Sequence, residues 1–250
     1  MVTVDDSFYC PGYKIVEDRK IRCHKTTGHG TQTFTQTVMN SCNPAFIEWG
    51  RRVGVDNFYT YIDKLGLTSK TGIDIAGEAG TIIHKKENVG EVELATMSFG
   101  QSFQITPMQM LRAAAAIVNG GNLVTPHFAI RTCAADKTTY SEFSYSTTQE
   151  AVSKETSDTM KDILRQVVEE GGGKNAYIEG FSIGGKTATS QKLPRGSGKY
   201  IASFIGFSDV TDPSVIAMCL IDEPQGVYYG GTIAAPVIRE LYDNILPYMD

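Results

Sequence analysis

The run Gly185-Lys186-Thr187-Ala188-Thr189-Ser190-Gln191-Lys192 gathers cations and hydroxyls in a glycine-flanked segment. On a strand, side chains two apart share a face, so Lys186 and Ala188 point one way and Thr187 and Thr189 the other. A cationic Lys lowers the cost of binding a carboxylate and can tune a neighbouring serine. An exposed strand edge can pair with an extended substrate. These are parts of an acyl-transfer site, which needs a nucleophile, a base, an oxyanion hole and a grip on the substrate carboxylate. A surface strand with an ordinary Lys-Thr pair is the bland alternative, and alone the triplet is a weak signal. Ser41-Cys42-Asn43 raises the odds, because Ser-x-Asn and Lys-Thr-Gly are two parts of a three-part serine acyltransferase motif set. Here Ala188 stands where that set has glycine. The third part, Ser-x-x-Lys, is absent: no serine is followed three residues later by lysine, and Thr189 with Lys192 already belongs to the first run. Cys42 as a substitute nucleophile lacks a neighbouring base in the sequence to generate its thiolate.

A second constellation lies in the first thirty residues: Cys10, Cys23, His24 and His29, with Asp18 between. Two thiolates with imidazole or carboxylate ligands suit tetrahedral zinc. The spacing is not that of a standard finger, so a Cys10–Cys23 disulfide or two unlinked thiols stay open. Five cysteines cannot all pair internally. Cys133 and Cys219 sit in apolar-leaning segments and read as small buried hydrophobes.

The elements that must position these residues follow from periodicity and punctuation. Residues 1–35 read as loop-rich with short strands. Asn43-Pro44 predicts a helix start with Asn43 as N-cap, an apolar face of Phe46, Ile47 and Trp49, and a stop at Gly54. One amide oxygen cannot serve fully as both cap and substrate ligand. A second helix is expected over Phe58–Leu65, and a short one over Glu91–Gly100. Lys70-Thr71-Gly72 matches the Lys-Thr-Gly motif literally but follows a helix stop, with Ile73–Glu78 read as a short edge strand, so Lys186 is the better match. Thr106-Pro107-Met108-Gln109 starts a helix to Asn119 through a capping box. Leu123–Thr132 reads as a strand and Asp136–Thr148 as a β-excursion. Ser153–Glu170 is an amphipathic helix stopped by three glycines. Phe181–Lys192, Tyr200–Ser208 and Ser214–Asp222 read as antiparallel strands, and a helix over Ala234–Leu246 closes the chain. The fold class is α+β: an antiparallel sheet packed with helices.

The 250 residues, 41% hydrophobic and 20% charged, suit a soluble globular protein with a large core. A net charge of −5 disfavours nucleic acid as a partner, since phosphate binding wants a basic patch. No apolar run approaches membrane-spanning length, and no signal peptide precedes residue 20.

Further segments carry a specific resemblance. Asn40–Phe46, Phe99–Met110, Gly173-Lys174-Asn175-Ala176, Phe204-Ile205-Gly206-Phe207, Asp222-Glu223-Pro224, Tyr228-Tyr229-Gly230-Gly231 and Ala234-Ala235-Pro236-Val237 run in the order found in class B penicillin-binding proteins. The sequence resembles the sporulation and division transpeptidases of Gram-positive bacteria over nearly its whole length. The resemblance implies the penicillin-binding, serine β-lactamase-like fold, and a D,D-transpeptidase that cross-links peptidoglycan stem peptides and is acylated by β-lactams. It implies that Ser41 relays protons, Asn43 binds the acyl-side amide and Lys186 shapes the electrostatics. Thr187 and Thr189 would hold the substrate carboxylate, and the N–H of Ser190 would help form the oxyanion hole. The methyl of Ala188 would crowd an approaching ligand. No cofactor is needed for this chemistry, so zinc would be structural. Partners would be stem peptides, β-lactams and other cell-wall synthesis proteins, and the parent protein would work on the outer face of the plasma membrane. In the family the nucleophile lies shortly before the segment that Asp6–Cys10 resembles. The expectation is therefore a C-terminal part of the domain, residues 1–250, without its nucleophile helix and inactive alone. A non-catalytic cell-wall scaffold of the same fold is the alternative, and a serine β-lactamase a weaker one.

Overall fold

A computed structural model describes residues 2–194 and 196–249. The N-terminal part is built from very short strands. β1 (Ser7–Cys10), β2 (Tyr13–Val16), β3 (Arg19–Arg22) and β4 (Gly30–Thr33) have four residues each. They form two separate antiparallel pairs, β1 with β4 and β2 with β3. Strands this short carry little ladder energy, so their inward side chains must hold them.

Thr33 begins α1 (Phe34–Met39) with a capping box, its hydroxyl accepting from the Gln36 N–H and the Gln36 side-chain Oε1 accepting from the Thr33 N–H. After a three-residue loop comes α2 (Asn43–Lys64). Its N-cap is Cys42, and Asn43 is the first helical residue, which corrects the expected Asn43 cap. Pro44 follows within the first turn, where a missing N–H costs nothing. Gly54, at φ 76° and ψ 161°, breaks the run into two helical segments, close to the two helices the sequence suggests. Trp49 ties α2 to α1: its buried indole N–H donates to Thr37 Oγ1 at 3.1 Å.

The Lys70-Thr71-Gly72 segment forms no strand, and neither does Ile73–Glu78. The Glu78 carboxylate accepts from the Thr71 N–H and hydroxyl at 2.8 and 2.7 Å, so a side chain closes this loop in place of a ladder. α3 (Glu91–Ser98) follows, and α4 (Pro107–Val118) carries the expected Thr106–Gln109 capping box. The strand expected over Leu123–Thr132 is reduced to its two ends. β5 (Leu123–Val124) pairs with β8 (Thr147–Thr148), and β6 (Arg131–Cys133) with β7 (Tyr140–Glu142). Asp74 accepts from the N–H groups of Phe128 and Ala129 between them, which diverts the backbone from a ladder. Cys133 lies in this exposed excursion and is itself exposed, while Cys219 is half-buried, so neither is the fully buried thiol expected.

α5 (Lys154–Glu169) presents Ile163 and Val167 to Val38 of α1, and packs along the first strand of the main sheet. That sheet runs β9 (Ile183–Gln191), β10 (Tyr200–Ser208) and β11 (Val215–Asp222), antiparallel throughout, with β10 central. The register pairs Thr187 with Phe204 and Gly185 with Gly206. α6 (Gly230–Ile233) and α7 (Ala235–Ile245) cover the sheet. A Cβ on Gly230 would stand 2.2 Å from Ser203 O and 2.4 Å from Ala188 O, so α6 can sit on β9 and β10 only with glycine there. Phe204, Ile183, Ile238 and Tyr242 make the core between sheet and α7, and the Tyr242 hydroxyl donates to Gly206 O at 2.6 Å. The observed class is the expected α+β, mixed helices on an antiparallel sheet.

Candidate active site

Ser41 lies in the loop between α1 and α2 with φ +47°, a region an L-residue adopts at a cost. Its neighbours over-determine that conformation. The Ser41 N–H donates to Val38 O at 3.1 Å and the Cys42 N–H to Thr37 O at 3.0 Å. Opposite this loop, β9 delivers Lys186, whose Nζ donates to Ser41 Oγ at 3.0 Å and to Thr187 O at 2.9 Å. Lys186 is half-buried, and desolvation of its ammonium lowers its pKa to about 8. No carboxylate pairs with it among the described residues. Lys186 and Ser41 therefore form a hydrogen-bonded pair in which either partner can pass a proton near neutral pH.

Thr189 Oγ1 accepts from the Gly230 N–H of α6 at 3.2 Å; the Thr187 methyl lies toward Gly231, while the Thr187 hydroxyl accepts from Lys186 Nζ at 3.4 Å. Ala188 is exposed. Asn43, freed from capping, points its amide to Arg22 O of β3 at 3.3 Å, fixing the start of α2 to the N-terminal strands. Gln101, from the α3–α4 loop, reaches Ser190 Oγ at 3.4 Å. Sequence reasoning did not single out Gln101, although it lies inside the Phe99–Met110 segment.

Behind Ser41 the structure gathers Cys10, Cys23, His29 and Cys42, one donor atom from each, all within 4.8 Å of one another. Cys10, Cys23 and Cys42 are 1%, 2% and 0% exposed, and no disulfide joins them. This set differs from the expected one. His24 is exposed, its Nδ1 is 3.9 Å from Cys23 Sγ, and its place is taken by Cys42. Asp18 is exposed in the β2–β3 turn, outside the cluster. Cys42 was legible only as the middle of Ser41-Cys42-Asn43, because the fold and not the spacing brings it to Cys23. The Cys42 thiol donates to Cys23 and holds it well below the usual thiol range, while the same bond, then burial, pushes Cys42 up. Three sulfurs and one imidazole are the soft donor set that tetrahedral zinc takes. On the inward face of β4, beside the β1 strand that carries Cys10, the buried Gln32 Nε2 has no hydrogen-bond partner among the described residues.

A serine-lysine pair thus joins a helical loop to a sheet-edge strand that also carries two threonines, in a fold of helices on an antiparallel sheet. The penicillin binding protein transpeptidase domain matches residues 1–243, and the chain belongs to that family. It is 42% identical over 247 residues to stage V sporulation protein D of Bacillus subtilis, covering 97% of this chain and 38% of that protein. It is 30% identical over 214 residues to the probable peptidoglycan D,D-transpeptidase PenA of Neisseria meningitidis, covering 84% of this chain and 35% of that one. The apo structure of penicillin-binding protein 3 from Mycobacterium tuberculosis superposes with a TM-score of 0.89 at 25% identity, over 99% of this chain and 58% of that one. The same protein complexed with aztreonam gives 0.88 at 24%. The chain thus spans less than two-fifths of the length of these two curated relatives.

Proposed function

We propose that these residues form one wall of a peptidoglycan D,D-transpeptidase site that β-lactams also occupy. The observation that carries this reading is the 3.0 Å contact from Lys186 Nζ to Ser41 Oγ, made across 145 residues of chain between two family motifs. In the proposed mechanism Ser41 relays the proton of an attacking serine, and Lys186 tunes that relay through its lowered pKa. Thr187 and Thr189 bind the carboxylate of the stem peptide, Asn43 binds the acyl-side amide, and the Ser190 N–H contributes to the oxyanion hole. The free edge of β9 pairs with the extended peptide. The attacking serine comes from outside these residues, since no Ser-x-x-Lys occurs among them. The working protein stands on the outer face of the plasma membrane, alongside other cell-wall synthesis proteins, in a sporulation role like the one its Bacillus subtilis relative is named for. Among the described residues no helix is long and apolar enough to cross a membrane.

Labelling with a fluorescent penicillin tests this. The 250 residues alone should take up no covalent label. The product extended upstream through a Ser-x-x-Lys should label, and Lys186→Ala should reduce its labelling rate by on the order of 100-fold. An extended product that never labels would favour the non-catalytic scaffold, and one that rapidly releases its label the β-lactamase.

The site also holds a structural zinc ion in this reading, bound by Cys10, Cys23, His29 and Cys42. The metal supplies no chemistry; its ligands fasten β1, the β3–β4 segment and the start of α2 to one another. Mass spectrometry of untagged protein should find one zinc per chain. Cys23→Ser and His29→Ala should lose it, and His24→Ala should keep it. Loss of zinc with His24→Ala but not with Cys42→Ser would return the ligand set to the one the sequence alone suggests.

A further inference from the structure

The β2–β3 hairpin touches both segments that reach β9. The Arg22 carbonyl accepts from Asn43 Nδ2 at 3.3 Å, two residues from Ser41. Val16 and Ile21 pack in one cluster with Phe99, two residues before Gln101, which contacts Ser190. The other face of the hairpin is turned outward. Its register sets Tyr13 opposite Arg22 and Ile15 opposite Lys20, and all four residues are exposed. Lys20 Nζ lies 3.9 Å from the centroid of the Tyr13 ring, a cation over an aromatic face. Between Tyr13 and Lys25 five cations stand against two carboxylates, in a chain whose net charge is −5. Lys14 pairs with Glu48, but Lys20 and Arg22 have no carboxylate partner among the described residues. Like charges gathered in this way raise the local potential and favour an arriving anion.

Exposed cations are ordinarily just solvated; what sets these two apart is where they stand. In the proposed reaction Asn43 binds the acyl-side amide, so the stem-peptide residues ahead of that amide run on past Asn43, where Arg22 is hydrogen-bonded to it. Lys20 and Arg22 are two apart on β3, so their charges repeat roughly every 7 Å, the repeat at which an extended peptide presents alternate side chains. We propose that Lys20 and Arg22 are specificity-determining residues of the transpeptidase site. They bind carboxylates on the stem peptide ahead of its terminal D-Ala-D-Ala pair, so the substrate class is an acidic stem peptide and not its amidated form. Tyr13 holds Lys20 in place. This rests on the transpeptidase reading above.

Titration of the chain with two synthetic stem pentapeptides, followed by NMR, tests this. Both end in D-Ala-D-Ala; one keeps its inner carboxylates and the other has them amidated. The acidic peptide should bind about fivefold tighter, as two exposed charge pairs allow. That difference should shrink at high ionic strength. Lys20→Gln combined with Arg22→Gln should remove the difference by weakening the acidic peptide alone. Both side chains are exposed, so an unchanged affinity for the amidated peptide certifies the fold of the double variant. Lys137→Gln, which removes an exposed cation between β6 and β7, should keep the difference. Equal affinity for the two peptides in the unaltered chain, or a difference that survives the double variant, overturns the proposal. Binding of neither peptide overturns the transpeptidase reading beneath it. Vesicles of an anionic phospholipid that hold the unaltered chain and release the double variant would assign the face to a membrane surface and overturn the peptide assignment.

Discussion

The two sides of the Lys186–Ser41 contact are held by different physics. On the β9 side, strands of nine, nine and eight residues close a continuous ladder, and Phe204, Ile238 and Tyr242 bury an apolar core beneath it. On the Ser41 side, two pairs of four-residue strands surround three cysteines, with Ala45 and Trp49 as the other buried members of the cluster. The first side gains stability from area removed from water, which needs no partner. The second brings thiols together, and thiols confined this closely are stable as metal thiolates or vulnerable as free sulfur. A site made from both has one side packed on an apolar core and, under the zinc proposal, one whose order would depend on what the cysteines hold.

The largest expected effect breaks the β9 wall. Phe204 is fully buried between the sheet and α7, and Phe204→Ala should cost about 3–5 kcal/mol from lost transfer energy and the cavity left behind. Urea unfolding monitored by circular dichroism should show it, and a chelator should leave the size of that loss unchanged. A chelator applied to the unaltered protein should do the reverse. Amide exchange should rise across β1–β4 and at Ser41, while the β9–β11 amides stay protected. A uniform rise in exchange would show that the two walls are one cooperative unit, and the contrast between them would fail.

The same contrast explains what the sequence made legible. The sheet, α5 and α7 were readable because their apolar residues recur at the period of a strand or a helix. The boundaries of β9, β10 and β11 differ from the expected ones by at most two residues. The Thr106–Gln109 capping box was readable because it is local. Cys42 as a neighbour of Cys23 was not, because no periodic signal links residues that a metal-type cluster joins in space. The Asn43 cap failed for a related reason. Asn43 has the composition of an N-cap, but the tight turn at Ser41 starts the helix one residue early, and its amide goes to Arg22 O. The strand lost between residues 125 and 130 was outcompeted by the Asp74 carboxylate, a partner about fifty residues away.

Lys186 offers a test at the boundary between the walls. Its folded pKa is about 8, against 10.5 for an ordinary lysine, with desolvation as the cause. Between those values the unfolded chain holds a proton that the folded protein has released, so stability should rise as pH rises through that window. The gain has a ceiling of about 3 kcal/mol, lowered by the partial exposure of the side chain. Unfolding midpoints at pH 7.5 and 10 should therefore differ, after correction for the rest of the chain, by an amount that Lys186→Met removes. If that variant keeps the full pH dependence, the desolvated ammonium is not what sets it.

The smallest effect concerns Ala188, the residue that departs from Lys-Thr-Gly. It lies exposed on β9, so its methyl adds little to the core, but it limits the backbone freedom of the unfolded chain. Ala188→Gly should lower stability by about 0.5–1 kcal/mol, through the entropy of glycine in a strand. Because β10 and α6 hold β9 independently of the cysteines, that loss should be equal in the zinc-bound and chelated protein. A loss that grows when zinc is removed would mean that the cysteine side braces β9 through the Lys186–Ser41 contact. In that case the order of the β9 side would depend in part on the metal, and the two sides would be coupled through a single hydrogen bond.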